Sequence, residues 1–171
     1  MAVSKTVASE ISQSMKAVIQ AATSDYLFLT WEDLMVAVWR GQTSIPAIHA
    51  GEKLLKAHAA KYPAGILLLT VIEENAPPPG LAERTALGKM LKNSEGRTRR
   101  SAVIFEGSGF RAATVRSVVT GVLLFSSPPF PHKVFATVPT AATFLAATEK
   151  IDPKRTAKRI VEVVAEARSG A

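Results

Sequence analysis

The sequence predicts an α/β fold: a mixed sheet of about five strands, opened by an antiparallel hairpin, continued by parallel strands and flanked by helices. Three observations carry this. Two short β-rich runs, YLFLTW (26–31) and LMVAVW (34–39), are separated only by Glu32-Asp33, which is hairpin spacing. Two nearly continuous apolar runs, ILLLTVI (66–72) and SAVIF (101–105), are bounded by turn residues, as strands covered on both faces are. Helical stretches alternate with these runs, and strand–helix alternation requires parallel strands joined by right-handed crossovers.

The elements follow in order. Residues 5–22 read as a helix, because Val7, Ile11, Met15, Val18, Ile19 and Ala22 recur at helical spacing; Ser4 can cap it and Thr23-Ser24-Asp25 ends it. The hairpin 26–39 comes next; its turn lacks glycine, which leaves the turn type open. Thr43 or Ser44 caps a helix running through Lys61, with Pro46 in its first turn and Ile48, Leu54, Leu55 and Ala59 on one stripe. The strand 66–72 leads through Glu73-Glu74-Asn75 and a proline run (77–79) to a helix over 81–91. Residues 93–100 read as a polar, basic connector. The strand 101–105 precedes Glu106-Gly107-Ser108-Gly109, and 110–125 reads as a long apolar helix. A short strand (133–136) and a helix opened by Pro139 and running to Thr148 complete the domain. Asp152-Pro153 starts a last helix to Ala167. The organisation expected is an amphipathic N-terminal helical extension (1–24), the α/β domain (25–149) and a basic amphipathic C-terminal helix (150–171).

Composition narrows the function. The chain has 171 residues and no cysteine, so disulfides, zinc–thiolate sites, iron–sulfur clusters and thiol catalysis are excluded. Its apolar runs are too short to span a bilayer, and its first residues lack the apolar core of a signal peptide; the expectation is a soluble, cytoplasmic protein without a transmembrane segment. The net charge of +7 is unevenly placed. Residues 1–85 hold 7 basic and 8 acidic side chains, residues 86–171 hold 14 basic and 6 acidic. Such asymmetry marks either a surface facing a polyanion or a well-solvated face.

The order and length of these segments resemble the STAS and SpoIIAA-like family, especially the SpoIIAA-like branch that shades into Sec14-like lipid-binding modules. The resemblance is carried by LMVAVWRGQTS, GILLLTVIEE, RRSAVIFEGSGFRAAT and KVFATVPTAATFLAAT, and covers about three quarters of the chain. It implies a regulatory or interaction module. In anti-anti-sigma members of the family a Ser or Thr after the central strand is phosphorylated. The stretch from Glu73 to Gly80 contains no hydroxyl residue, and Glu73 and Glu74 would repel a phosphate, so that switch is not expected here.

Ligands of open α/β sheets gather at the carboxyl ends of the strands. There lie Glu73, Glu74 and Asn75, then Glu106 and Ser108. Adjacent strands would bring three carboxylates together, as a metal or acid–base site needs; the plainer reading is helix capping and solvation. Gly107-Ser108-Gly109 matches neither a P-loop nor a nucleophile elbow, and reads as a turn with Ser108 as cap. His49 and His58 are nine residues apart, which is poor ligand spacing, and His132 sits in a proline-rich loop; all three read as ordinary polar residues. No nucleophile–base pair appears, so the expectation is no enzyme, no metal and no cofactor.

The basic residues are the strongest functional signal. Lys89, Lys92, Arg97, Arg99 and Arg100 fall within twelve positions, and Lys150, Lys154, Arg155, Lys158 and Arg159 open the last helix. Arginine suits bidentate contact with phosphate or carboxylate, but no aromatics are interleaved for base stacking. The leading expectation is a non-enzymatic protein-interaction module with an acidic partner, binding through these residues and the loop Glu73, Glu74, Asn75 and Ser108. Polyanion binding, to nucleic acid or an anionic membrane, is the first alternative. A small-molecule or lipid pocket is the second, its mark being an apolar cavity beneath 110–125. The terminal helices, and an exposed hairpin edge bearing Phe28, Trp31 and Trp39, offer surfaces for a homo-oligomer.

Overall fold

The fold was analysed in a computed structural model, which describes residues 16–109, 113, 117, 127–148 and 153–170. Six strands form one sheet in sequential order: β1 (Val18–Ala22), β2 (Tyr26–Trp31), β3 (Leu34–Trp39), β4 (Ile66–Ile72), β5 (Thr98–Phe105) and β6 (His132–Phe135). β1, β2 and β3 are antiparallel neighbours; β3 to β6 run parallel. Four helices are described: α1 (Ile45–Ala59), α2 (Leu81–Asn93), α3 (Val138–Ala146) and α4 (Pro153–Ser169). The fold is the expected mixed α/β sheet, with one strand more than the sequence indicated.

That strand is β1, which replaces the end of the expected N-terminal helix. Val18, Ile19 and Ala22 do recur at helical spacing, yet they pair in extended form with Thr30, Leu29 and Leu27. The reason lies in β2, which is buried along most of its length and would otherwise leave a row of backbone groups without partners. Thr23 closes the β1–β2 turn, its Oγ1 accepting from the amides of Asp25 and Tyr26 at 3.1 Å. Gln20 Nε2 donates to Thr30 Oγ1 at 2.9 Å across the pair. Residues 1–15, where the rest of that helix was expected, lie outside the described residues. So does the expected helix over 110–125, apart from 113 and 117.

β1 also moves the sheet edge. Phe28, Trp31 and Trp39 are not an exposed edge but are 1%, 7% and 7% accessible. Glu32 takes the glycine-like conformation in the tight hairpin turn, with φ at 49°. The expected connector 93–100 is only partly a connector, because Thr98, Arg99 and Arg100 already belong to β5.

The parallel register assigns residues to the two faces, since side chains alternate along each strand. One face carries Leu27 and Leu29 of β2, Val36 and Val38 of β3, Leu69 and Val71 of β4, and Ala102 and Ile104 of β5. α3 and α4 cover it with Ala141, Leu145, Ile160 and Val163, all fully buried. The C-terminal helix is therefore part of the main core, not an appendage to it. Burial of Ile160, Val163 and Val164 stabilises by roughly 1.5–3 kcal/mol per side chain.

α1 and α2 cover the opposite face. Ser44 caps α1, accepting from the Ala47 amide at 3.3 Å, and Pro46 occupies its first turn as expected. Gly65, which precedes β4, has φ at +85°, and a Cβ there would lie 2.9 Å from Arg99 Cγ and 3.0 Å from the Arg97 carbonyl oxygen. Gly65→Ala is accordingly expected to cost more than about 1 kcal/mol, read as a lowered urea midpoint with an unchanged slope.

Candidate ligand site

The carboxyl ends of β4 and β5 do bring Glu73 and Glu106 together, but as partners of an arginine. Arg168, in the last turn of α4, makes a bidentate contact with Glu106 at 2.7 Å through both terminal nitrogens. Its Nε donates to Glu73 at 3.2 Å, and Arg40 Nε lies 3.5 Å from the same carboxylate. The hydrogen bonds that Arg168 donates to Glu106, and then the two nearby carboxylate charges, raise the Arg168 pKa against the opposing effect of burial. Glu74, Asn75 and Ser108 are exposed nearby. Among the described residues no group of three or more acidic or histidine side chains is placed to hold a metal ion. Arg40 and Arg168 were missed in the sequence because each is remote in the chain from both carboxylates.

The basic run is divided rather than gathered. Lys89, Lys92 and Arg97 are exposed around the end of α2, where Arg97 donates to the Asn93 carbonyl at 2.9 Å. Arg99 pairs with Asp33 and donates to the Gly65 carbonyl, at the opposite end of the sheet from Glu73. Arg100 points to the α3 face, donating to the Phe144 carbonyl at 2.6 Å with its guanidinium 4.5 Å from the Phe144 ring centre. Alternation along β5 thus separates two arginines that are neighbours in sequence. On α4, Lys154 is exposed, Lys158 lies 3.9 Å from Glu162, and Arg159 reaches Glu162 and Glu166 at 3.1 Å. Lys150 and the side chain of Arg155 lie outside the described residues.

A different site emerges beneath α1 and α2. Rows of residues cross the sheet on this face: Met35, Leu68, Ser101 and His132 in one, and Phe28, Ala37, Thr70 and Val103 in the next. With Trp39 and Ile72 they floor a cavity of about 100 Å³. Ile48, Gly51 and Leu55 of α1, and Leu87, Met90 and Leu91 of α2, form its roof, and Ala76 to Pro79 line its side. Small residues leave the space. Ala37 and Thr70 fill little of the floor, and at Gly51 a Cβ would come 3.3 Å from the Phe28 ring.

Thr43, Thr70, Ser101 and His132 interrupt this lining with polar groups, and two of them, Ser101 and His132, stand out. Ser101 is 1% accessible, and its Oγ has no hydrogen-bond partner among the described residues. The same holds for both ring nitrogens of His132. Burial pushes the His132 pKa down to about 4, so the ring is neutral at pH 7. Elsewhere His58 is buried, its ring tilted against that of Tyr62 with ring centres 5.1 Å apart; burial lowers its pKa too. His49 is exposed.

Sequence reasoning set His132 aside as a loop residue, because its strand assignment started one residue late. Ser101 carried a readable signal: it is the polar member of the set Ser101, Val103, Phe105 on an otherwise apolar strand face.

No family model and no curated protein matches the chain. Among solved structures it is similar to an uncharacterized protein of the DUF3478 family from Shewanella loihica PV-4, which has a SpoIIAA-like fold. The two share 17% identity at a TM-score of 0.46, over 76% of this chain and 94% of that one.

Proposed function

We propose that this protein is a non-enzymatic binding module that takes up a small, largely apolar molecule between its sheet and the α1–α2 helices. One observation carries the reading: a cavity of about 100 Å³ under those helices, lined mostly by aliphatic, aromatic and proline side chains with a few polar ones. Close packing normally leaves few voids larger than a water molecule, and ligand sites are typically apolar clefts with a few placed polar groups. The cavity lies under α1 and α2, whereas the segment under which the sequence placed it is not among the described residues. Among those residues no helix is long and apolar enough to cross a membrane.

The test is displacement of an environment-sensitive fluorescent dye from the purified protein by toluene. Saturable binding is expected, and Ala37→Leu, which fills the floor, is expected to weaken it at least tenfold while leaving the folded state intact by circular dichroism. Equal binding by Ala37→Leu would sink the reading.

A protein partner, acidic or a second copy of the chain, is the other reading, favoured by β1. Val18 and Ile19 are 54% and 45% accessible on a strand that has one neighbour among the described residues. The exposed lysines of α2 and α4 would then steer an acidic partner. Concentration-dependent association that Val18→Lys abolishes would mark this route; a monomer at all concentrations, with no partner retained, speaks against it.

A further inference from the structure

The floor of the cavity is largely apolar, and its polar members are Thr70 and the pair Ser101 and His132, which β5 and β6 place as register partners on the same face. A buried hydroxyl or imidazole without a partner costs roughly 1–3 kcal/mol, so two side by side with no partner among the described residues need a reason. Water is one way to satisfy them. A ligand's own polar group is another, and it would be oriented by them while its apolar body fills the remaining space.

We propose that the cavity selects an uncharged amphiphile, in which a hydroxyl group is read by Ser101 and His132 and an apolar moiety occupies the space beneath α1 and α2. This rests on the ligand-binding reading above and assigns its chemistry. A hydroxyl fits because it both donates and accepts, matching a serine hydroxyl, with one donor and two acceptor lone pairs, and a neutral imidazole, with one donor and one acceptor. A carboxylate does not fit. No charged side chain among the described residues lines the cavity, Arg100 is on the other face and Arg99 is bound at the end of the sheet. Burying an anion there would lack a counter-charge. The volume also limits the ligand: about 100 Å³ is smaller than the roughly 150 Å³ engineered cavity that admits benzene, so the enclosed part is at most a short chain or one ring.

The experiment compares toluene, benzyl alcohol and benzoate, each competing with the same fluorescent dye on the full chain at pH 7. An apolar cavity without hydrogen-bonding groups would prefer toluene, since the hydroxyl would be desolvated for nothing. The expected order is benzyl alcohol first, by about fivefold over toluene, the worth of one net hydrogen bond. Benzoate is expected last. Ser101→Ala and His132→Met should reverse the order so that toluene binds best, while toluene's own affinity changes less than about twofold. Ser101→Ala removes an unsatisfied hydroxyl, so the free protein should unfold at no lower temperature than wild type. A toluene preference in the wild type, or an alcohol preference that survives both substitutions, would overturn the assignment of Ser101 and His132 and leave the ligand-binding reading standing. Failure of all three compounds to displace the dye would overturn both.

Discussion

Arg168→Met is expected to destabilise the protein by about 1–3 kcal/mol, the cost of leaving charged, hydrogen-bonded groups unpaired near the surface of a core. The guanidinium is the shared counter-charge of Glu73 and Glu106, and all three groups are only 25–30% accessible. Removing it leaves two carboxylates at neighbouring strand ends, with Arg40 at 3.5 Å from one of them. The same contact ties the last turn of α4 to the sheet, and a cation there is also favoured by the helix dipole. Arg168→Lys keeps the charge but loses the two-pronged geometry, so an intermediate loss is expected. Glu106→Gln in the Arg168→Met background should recover part of the loss, because it removes the repulsion that the first change exposes. Thermal and urea unfolding of the four proteins read this directly. A loss below about 0.5 kcal/mol, the range of ordinary surface substitutions, would show that the contact contributes nothing to the fold.

Stability is expected to fall as pH drops from about 6.5 to about 4, with His132 as the main histidine source. Its pKa in the folded protein is about 4 because burial disfavours the imidazolium, against an ordinary value of 6.5. Above pH 6.5 the ring is neutral in both folded and unfolded chains, and stability is independent of it. Between the two values the unfolded chain takes up a proton that the folded one refuses, so stability declines. Below pH 4 both are protonated and the loss is complete. A shift of this size corresponds to about 3 kcal/mol at most, and solvent access to a half-buried ring lowers that to about 1–3 kcal/mol. His58, whose pKa burial also lowers, adds a decline of the same sign. His132→Met should flatten the curve over this interval. An unchanged slope in that variant would assign the acid sensitivity to His58 and the carboxylates instead.

The strands and helices that fill both sides of the sheet were readable in the chain because their patterns are local. Ile66–Ile72 is bounded by turn residues and is apolar except at Thr70, and it is a strand at those residues. Tyr26–Trp31 and Leu34–Trp39 likewise pair through a two-residue turn. The apolar spacing of Val18–Ala22 satisfies a helix, while the demand that makes it a strand comes from the edge of β2. Thr98 to Arg100 was read as a loop for a related reason. Charged residues at the start of a strand look like a connector until a partner for each guanidinium is placed 30 or more residues away, as Gly65 and Phe144 are.

By itself, then, the sequence determined the fold class, the order of most elements and the absence of thiol chemistry, since these follow from residue types and their periodicity. Tertiary structure alone decided which charges meet, that Glu73 and Glu106 share Arg168, and that Arg99 and Arg100 reach different partners, Asp33 and the Phe144 carbonyl. It also decided where space remains. A cavity is a property of facing surfaces, and the row from Met35 to His132 exists only once four strands from distant parts of the chain lie in register.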